Sequence, residues 1–160
     1  MVDDAFSGYD LTELSGYRRF LLAHALALPA AEAALAPRLE LPRWRERASL
    51  LAADLAELNE TMPVPLPFDL PPAVGAAWGA LYVTEGSRLG GIVLARRVPS
   101  SYPARYLGAR HESDEWRALL GAIDTTSDAG SSEWIDGAIA GAVACFTLYQ
   151  KAAQSGPPST

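Results

Sequence analysis

Residues 82–91 read YVTEGSRLGG, inside what the surrounding apolar pattern marks as one helix from about Ala73 to Val98. A glycine in a helix interior is roughly 1 kcal/mol worse than alanine, because it has the most backbone freedom to lose. Gly86, Gly90 and Gly91 fall within this window, and Gly75 and Gly79 precede it. At about 100° per residue, Gly75, Gly79, Gly86 and Gly90 share roughly 60° of the circumference. They make a groove in which the backbone itself can be approached. Two neighbours suit such a groove. One is a second helix packed through small residues, and the last helix of the chain offers Gly137 and Gly141. The other is a flat ligand lying across the helix. The Gly90–Gly91 pair favours the ligand, since one glycine suffices for close packing and two also allow a kink. Spacing alone leaves both open.

Outward from this window the chain reads as helices. Met1 to Ser7 suits the last turns of a helix ended by Gly8. Asp10 or Thr12 caps the next, Glu13 to about Leu35, with Tyr17, Phe20, Leu21, His24, Leu28 and Ala31 on one face and a kink at Pro29. A third helix starts near Pro42 and carries Trp44, Ala48, Leu51, Leu55 and Leu58. Five prolines between Asn59 and Pro72 then make a semi-extended connector. After the glycine helix come an irregular stretch to Asp114, a short helix Glu115 to Ile123, a loop to Ser132 and a last helix from about Glu133 to Ala153. The expectation is an all-α single domain of about six helices over residues 1–154, with a disordered tail over 155–160. No alternating strand or hairpin signal occurs.

Composition narrows the function. The 160 residues carry a formal charge of −6, against the basic surface of a nucleic-acid binder. No stretch of 18 residues is free of charge, so no membrane span is expected. The acidic start is unlike a signal peptide, and the single cysteine, Cys145, excludes an internal disulfide. These features point to a cytoplasmic protein that contacts neither nucleic acid nor membrane.

The stretch LYVTEGSRLGGIVL (81–94) is similar to the distal helix of bacterial heme oxygenases, particularly those accompanying bacteriophytochromes, whose pattern is close to LYVxEGSxLGGxxI. YRRFLLAHALALPAAE (17–32) resembles the second helix of that family and ends in its glutamate, here Glu32. EWRALLGAID (115–124) and AVACFTLYQ (142–150) resemble its two C-terminal segments. The resemblance covers most of the chain. It implies an all-α fold with heme between a proximal and a glycine-bearing distal helix, and oxidation of heme to biliverdin, carbon monoxide and iron by O₂ and a reductant. It also implies an electron donor, and a place in a bacteriophytochrome pathway. The glycines it places against the porphyrin are Gly86, Gly90 and Gly91. Ser87 is positioned to anchor an ordered water network. Tyr82 and Arg117 are candidates to meet the propionates, Arg117 reading equally as a solvated helix residue.

In that family the iron ligand is a histidine in a motif near AHxxLD. Val2–Asp3 matches the final pair, which puts the histidine just before Met1 and makes the chain N-terminally short. The two histidines present are His24 and His111. His24 lies on an apolar helical face and reads as a core residue, or, less simply, as a substitute iron ligand. His111 sits among charges and reads as exposed. Cys145 reads as a buried apolar residue. Arg43, Arg45 and Arg47 read as a solvated face, and Arg96–Arg97 as complements to a helix C-terminus. Glu32, Asp54 and Glu85 are acids on apolar helices, without the Glu-x-x-His pairs of a di-iron site. No residue reads as a catalytic side chain. Two hypotheses follow: a heme oxygenase whose iron ligand is missing with the short N-terminus, and a heme-oxygenase-like fold with a degenerate active site that binds a tetrapyrrole or a protein partner without turnover, as a non-catalytic or regulatory protein.

Overall fold

The computed structural model describes residues 5–155; the Val2–Asp3 pair and residues 156–160 lie outside the described residues. Five helices, with no strand among the described residues, carry the fold: α1 Leu14–Leu35, α2 Ala48–Glu57, α3 Ala76–Ala95, α4 Glu115–Ala129 and α5 Ser132–Ser155. No helix among the described residues is long and apolar enough to cross a membrane.

The central element is α1, which packs on α2, α3 and α5. Its expected face is buried, with Tyr17, Phe20, Leu21, Leu28, Ala31 and Leu35 all in the core. Aromatic rings fill one end of that core: Phe6, Phe20 and His24 stand with centroids 4.2 to 5.6 Å apart. Pro29 lies inside α1. One turn before it, the Leu26 carbonyl accepts a bond from the Leu66 amide at 2.8 Å, which fastens the proline-rich connector to the helix. Asp10 accepts from the amide and hydroxyl of Thr12 in the turn ahead of α1, so it caps that turn instead of the helix.

Several boundaries differ from expectation: α3 is shorter at both ends, Ala76–Ala95 against about Ala73 to Val98. α2 begins at Ala48, because residues 42–47 form an irregular segment. The Glu32 carboxylate accepts the Arg47 amide at 2.7 Å and the Ala48 amide at 3.1 Å, which fixes the helix start from outside the helix. A negative group there also suits the helix dipole. α2 ends with Asn59 at φ 58, Glu60 N–H bonded to Leu55 and Asn59 N–H to Ala56, a left-handed cap that satisfies two terminal carbonyls. α4 runs to Ala129, past Ile123, through residues read as a loop. The Thr126 and Ser127 hydroxyls donate to the Ala122 and Asp124 carbonyls, spending their polarity within the helix. α5 continues to Ser155, the residue read as the start of the tail.

Asp54, fully buried on α2, accepts from the Arg105 amide at 3.2 Å and the Tyr106 amide at 2.9 Å. This anchors the irregular 99–114 segment behind α3. The Tyr9 hydroxyl donates to the Ala153 carbonyl at 3.0 Å, tying the start of the described chain to its last helix.

Candidate functional site

The glycine stripe divides. α3 and α5 form the most extensive helix pair, and at its N-terminal end their backbones touch. A Cβ built on Gly79 would strike the Ala138 carbonyl, one on Gly137 the Val74 carbonyl, and one on Gly141 the Ala76 carbonyl. Gly75, at φ 88, sets the left-handed turn into α3. Gly75 and Gly79 therefore serve helix packing.

Beyond them the same face of α3 is open. Tyr82, Leu89 and Val93 are 45%, 44% and 59% exposed, unusual values for large apolar side chains spaced along one helix face. Gly86 and Gly90, both partly exposed, lie among them on the helical wheel. On the facing side α5 presents Ile135, Ile139 and Val143, each 45% exposed or more. An almost wholly apolar cavity of about 400 Å³ occupies the wedge, lined by Trp78, Tyr82, Ile123, Trp134, Ile139 and Ala142 among others.

Gly86 has an aromatic neighbour. A Cβ there would come 3.4 Å from the Trp116 indole, an ordinary contact. The indole stands between Tyr82, at 5.6 Å between ring centroids, and His111, at 5.4 Å. Aromatic pairs of this kind contribute about 0.5–1.5 kcal/mol beyond area burial. Gly91 is elsewhere: it is buried on the far side of α3, where a Cβ would lie 3.2 Å from the Leu107 carbonyl. One residue of helix turns the backbone by about 100°, which separates Gly91 from Gly90.

Ser87 faces away from the groove as well. Its hydroxyl donates to the Thr84 carbonyl at 2.6 Å and accepts from Arg47 at 2.8 Å. The same guanidinium donates to the Thr84 carbonyl at 2.6 Å and stacks over Tyr106, 5.4 Å from its ring centre. Arg47 is 2% exposed, which corrects the solvated reading of the arginine cluster: Arg43 is exposed and Arg45 partly so, but Arg47 enters the core to meet α3. Tyr106 in turn holds His24 Nδ1 at 2.6 Å. Arg47 Nε, His24 Nε2 and the Tyr149 hydroxyl are buried without a hydrogen-bond partner among the described residues. Buried polar atoms are rarely left so, and an ordered water commonly completes such sets.

His24 is the core residue its apolar face suggested, with Phe6 and Phe20 each 4.2 Å away. Burial, assisted by the Arg47 charge, pulls its pKa down to about 3, so the ring is neutral at pH 7. Burial also pushes the Cys145 thiol up to about 12, which makes it inert. His111 was expected in solvent, but its side chain is 8% exposed, because it packs on Trp116 with Nε2 3.3 Å from Glu85. Glu85 is paired with Arg88 at 2.8 Å, and Arg88 donates to the Arg45 carbonyl. Arg45 pairs with Glu115 at 2.8 Å; that bond holds the Glu115 carboxyl well down, at about 2. Arg117 is 87% exposed and 3.2 Å from Asp114, the solvated placement considered for it.

The structure thus brings Tyr82, Gly86 and Gly90 to one open apolar face, and puts Ser87 and Gly91 on other sides of α3. Trp116, Arg47, Tyr106 and Tyr149 are the residues that sequence reasoning missed. An isolated acid in an apolar helix, Glu32, was the available sign that something buried and polar had to meet it.

No protein-family model matches the chain. It is 34% identical over 115 residues to a heme oxygenase of Xanthomonas campestris pv. campestris (strain 8004), a match spanning 67% of each chain. Among solved structures it is similar to the NO- and CO-bound heme oxygenase of Neisseria meningitidis, with a TM-score of 0.76 and 24% identity, covering 96% of this chain and 82% of that one. The second likeness concerns the fold.

Proposed function

The chain belongs to the heme oxygenase family, and from that premise we propose that it binds heme on the open Tyr82–Val93 face of α3 and oxidises it to biliverdin, carbon monoxide and iron. One observation carries the reading: Gly86 and Gly90 lie on the part of the glycine face that α5 has left, among exposed apolar side chains. A glycine buried against a helix needs no ligand; a glycine on an open apolar face suits a flat one. Heme, when bound, supplies the iron that activates O₂, and an external reductant supplies electrons.

The residues of the chain bind and orient. The apolar wedge beside Tyr82 takes hydrocarbon edge and excludes water. The Tyr82 hydroxyl, at the rim, donates to a propionate. Arg117 reaches a propionate on exchanging its pairing with Asp114, a pairing too exposed to oppose this strongly. Arg47 acts from behind: by holding Thr84 and Ser87 it fixes the turn of α3 that carries Gly86. Backbone there, not an acidic side chain, meets whatever lies on the helix.

A second reading is favoured by a specific observation. Both histidines of the sequence are engaged by protein, His24 by Tyr106 and two phenylalanines, His111 by Trp116 and Glu85. A tetrapyrrole held without an imidazole on its iron would be bound and not turned over, as in a carrier or regulator.

Hemin titration followed by absorbance, then ascorbate under air, tests both. A one-to-one complex that yields biliverdin supports the oxygenase. A complex that is stable to ascorbate supports the carrier. Absence of saturable binding of hemin and of biliverdin would overturn the site.

A further inference from the structure

We propose that Trp116 is a plug: in the ligand-free protein its indole stands on Gly86, in the place a flat ligand takes, latched there by His111 against Glu85. The identity of the displacing ligand rests on the tetrapyrrole reading above; the latch itself does not.

The neighbours that a Cβ on Gly86 would meet are both indole atoms of Trp116. A flat aromatic ring lying by a glycine of an open helix face is a small version of the contact a porphyrin requires. Trp116 belongs to α4, whose main packing partner is α3 and of which Leu119 alone is buried among the described residues. The indole is only partly buried and packs on the edge of the core, so it can leave the groove with the residues of the α1 core still in place. Its seat is bracketed by Tyr82 on one side and His111 on the other.

His111 makes the seat conditional. Its side chain is more than nine-tenths buried, with Nε2 3.3 Å from a Glu85 carboxylate oxygen and Nδ1 without a hydrogen-bond partner among the described residues. The charged groups facing it are Glu85 and Arg88 on α3, Glu115 on α4, and Arg45, which binds Glu115 from the segment before α2. Two carboxylates and two guanidiniums already balance one another. A proton on His111 adds an unmatched charge to an enclosed place, and burial accordingly lowers its pKa from the ordinary value, with Glu85 opposing. The ring is seated when neutral. As pH falls through its depressed value it charges and leaves, and the indole loses one of its two brackets. The plug is closed at neutral pH and released in acid.

Two experiments test the proposal separately from the tetrapyrrole reading. In the first, wild type and Trp116→Ala are titrated with biliverdin and with hemin at pH 7.5. A closed plug lowers apparent affinity by the fraction of open protein, so Trp116→Ala should bind more tightly, by about threefold or more. Equal or weaker binding by the variant would overturn the plug, since the indole would then be neutral or a wall of the site. In the second, with no ligand, Trp116 emission is isolated as the difference between wild type and Trp116→Phe, and its quenching by acrylamide is followed from pH 8 to pH 5. Quenching should rise in acid, and His111→Gln should abolish the pH response; circular dichroism verifies that each variant is folded. An unchanged response in His111→Gln, or none in wild type, overturns the latch. Failure of every form to bind either tetrapyrrole, with the quenching response intact, leaves the latch standing and overturns the reading of the groove.

Discussion

The Arg47 guanidinium bridges the Ser87 hydroxyl, at 2.8 Å, and the Thr84 carbonyl, at 2.6 Å. The segment ahead of α2 thereby grips α3 on the side opposite the open face, at the turn that carries Gly86.

Removing that grip should be costly. Hydrogen bonds to a charged group are each worth about 1.5–3 kcal/mol, and a buried carbonyl left unpaired adds to the loss. Arg47→Met is expected to lower stability by about 2–4 kcal/mol in urea denaturation. Ser87→Ala removes one of these charge-assisted bonds and should lose about 1.5–3 kcal/mol. Because the two residues share one bond, the double variant should be less destabilised than the sum of the single ones. Strict additivity would show that the contact does not operate in solution.

The two halves of the glycine stripe should respond oppositely to a methyl group. Gly79→Ala drives a Cβ into the Ala138 carbonyl of α5, and Gly137→Ala drives one into the Val74 carbonyl just ahead of α3; overpacking of that kind costs about 1–3 kcal/mol or more. Gly86→Ala meets the indole at ordinary contact distance. It should leave the ligand-free protein as stable or up to about 1 kcal/mol more so, through helix propensity, while hemin and biliverdin binding weakens. Gly90→Leu should abolish that binding with little change in ligand-free stability. Thermal melts with and without ligand compare all four. A Gly86→Ala variant that binds normally would place the ligand elsewhere.

His24 predicts an acid limb. Its folded pKa, about 3, lies below the ordinary value of 6.5. Its neutral state therefore contributes stability that is complete above pH 6.5 and is lost progressively as pH falls toward 3. The melting temperature of wild type should fall more steeply between pH 6.5 and pH 3.5 than that of His24→Gln, whatever their difference at pH 7. Parallel curves would mean that His24 is not titrating as a buried group.

Asp54→Asn should loosen one segment in particular. The carboxylate accepts amides from Arg105 and Tyr106 and the Arg105 guanidinium at 3.1 Å. The carboxamide keeps one accepting oxygen and turns its NH₂ toward a donor. A loss of about 1–3 kcal/mol is expected, with new proteolytic cuts between residues 99 and 112. Cuts spread evenly along the chain would argue for a global role instead.

The helices were legible because Ala and Leu recur at helical spacing and nothing alternates. The glycine stripe was legible as one face, and it is one face. Where it changes neighbour was not, since that depends on where Gly137 and Gly141 bring α5 against α3, a fact about two segments more than fifty residues apart in sequence. The family resemblance sets Gly91 beside Gly90 against the porphyrin, although helical rotation alone separates them. Arg47 looked like its neighbours Arg43 and Arg45. Its burial comes from a carbonyl and a hydroxyl on α3 that no local pattern announces. His111 was misread for the same reason: charges flanking it in sequence say nothing of the indole and carboxylate that enclose it. The length of α4 was underestimated because Thr126 and Ser127 are weak helix formers, and their hydroxyl bonds to the helix carbonyls are visible only once the helix exists.

The bond from Tyr9 to Ala153 spans 144 positions of sequence. Such a contact forms only after a long loop has closed, and closure entropy grows with the logarithm of loop length. The same proximity means that a short peptide could join residues near these two positions with little strain. A circular permutant so joined, and opened within the proline-rich stretch between Asn59 and Pro72, would turn this long-range tie into a local one. Its mean sequence separation between touching residues would fall, and refolding would be faster than in the natural order.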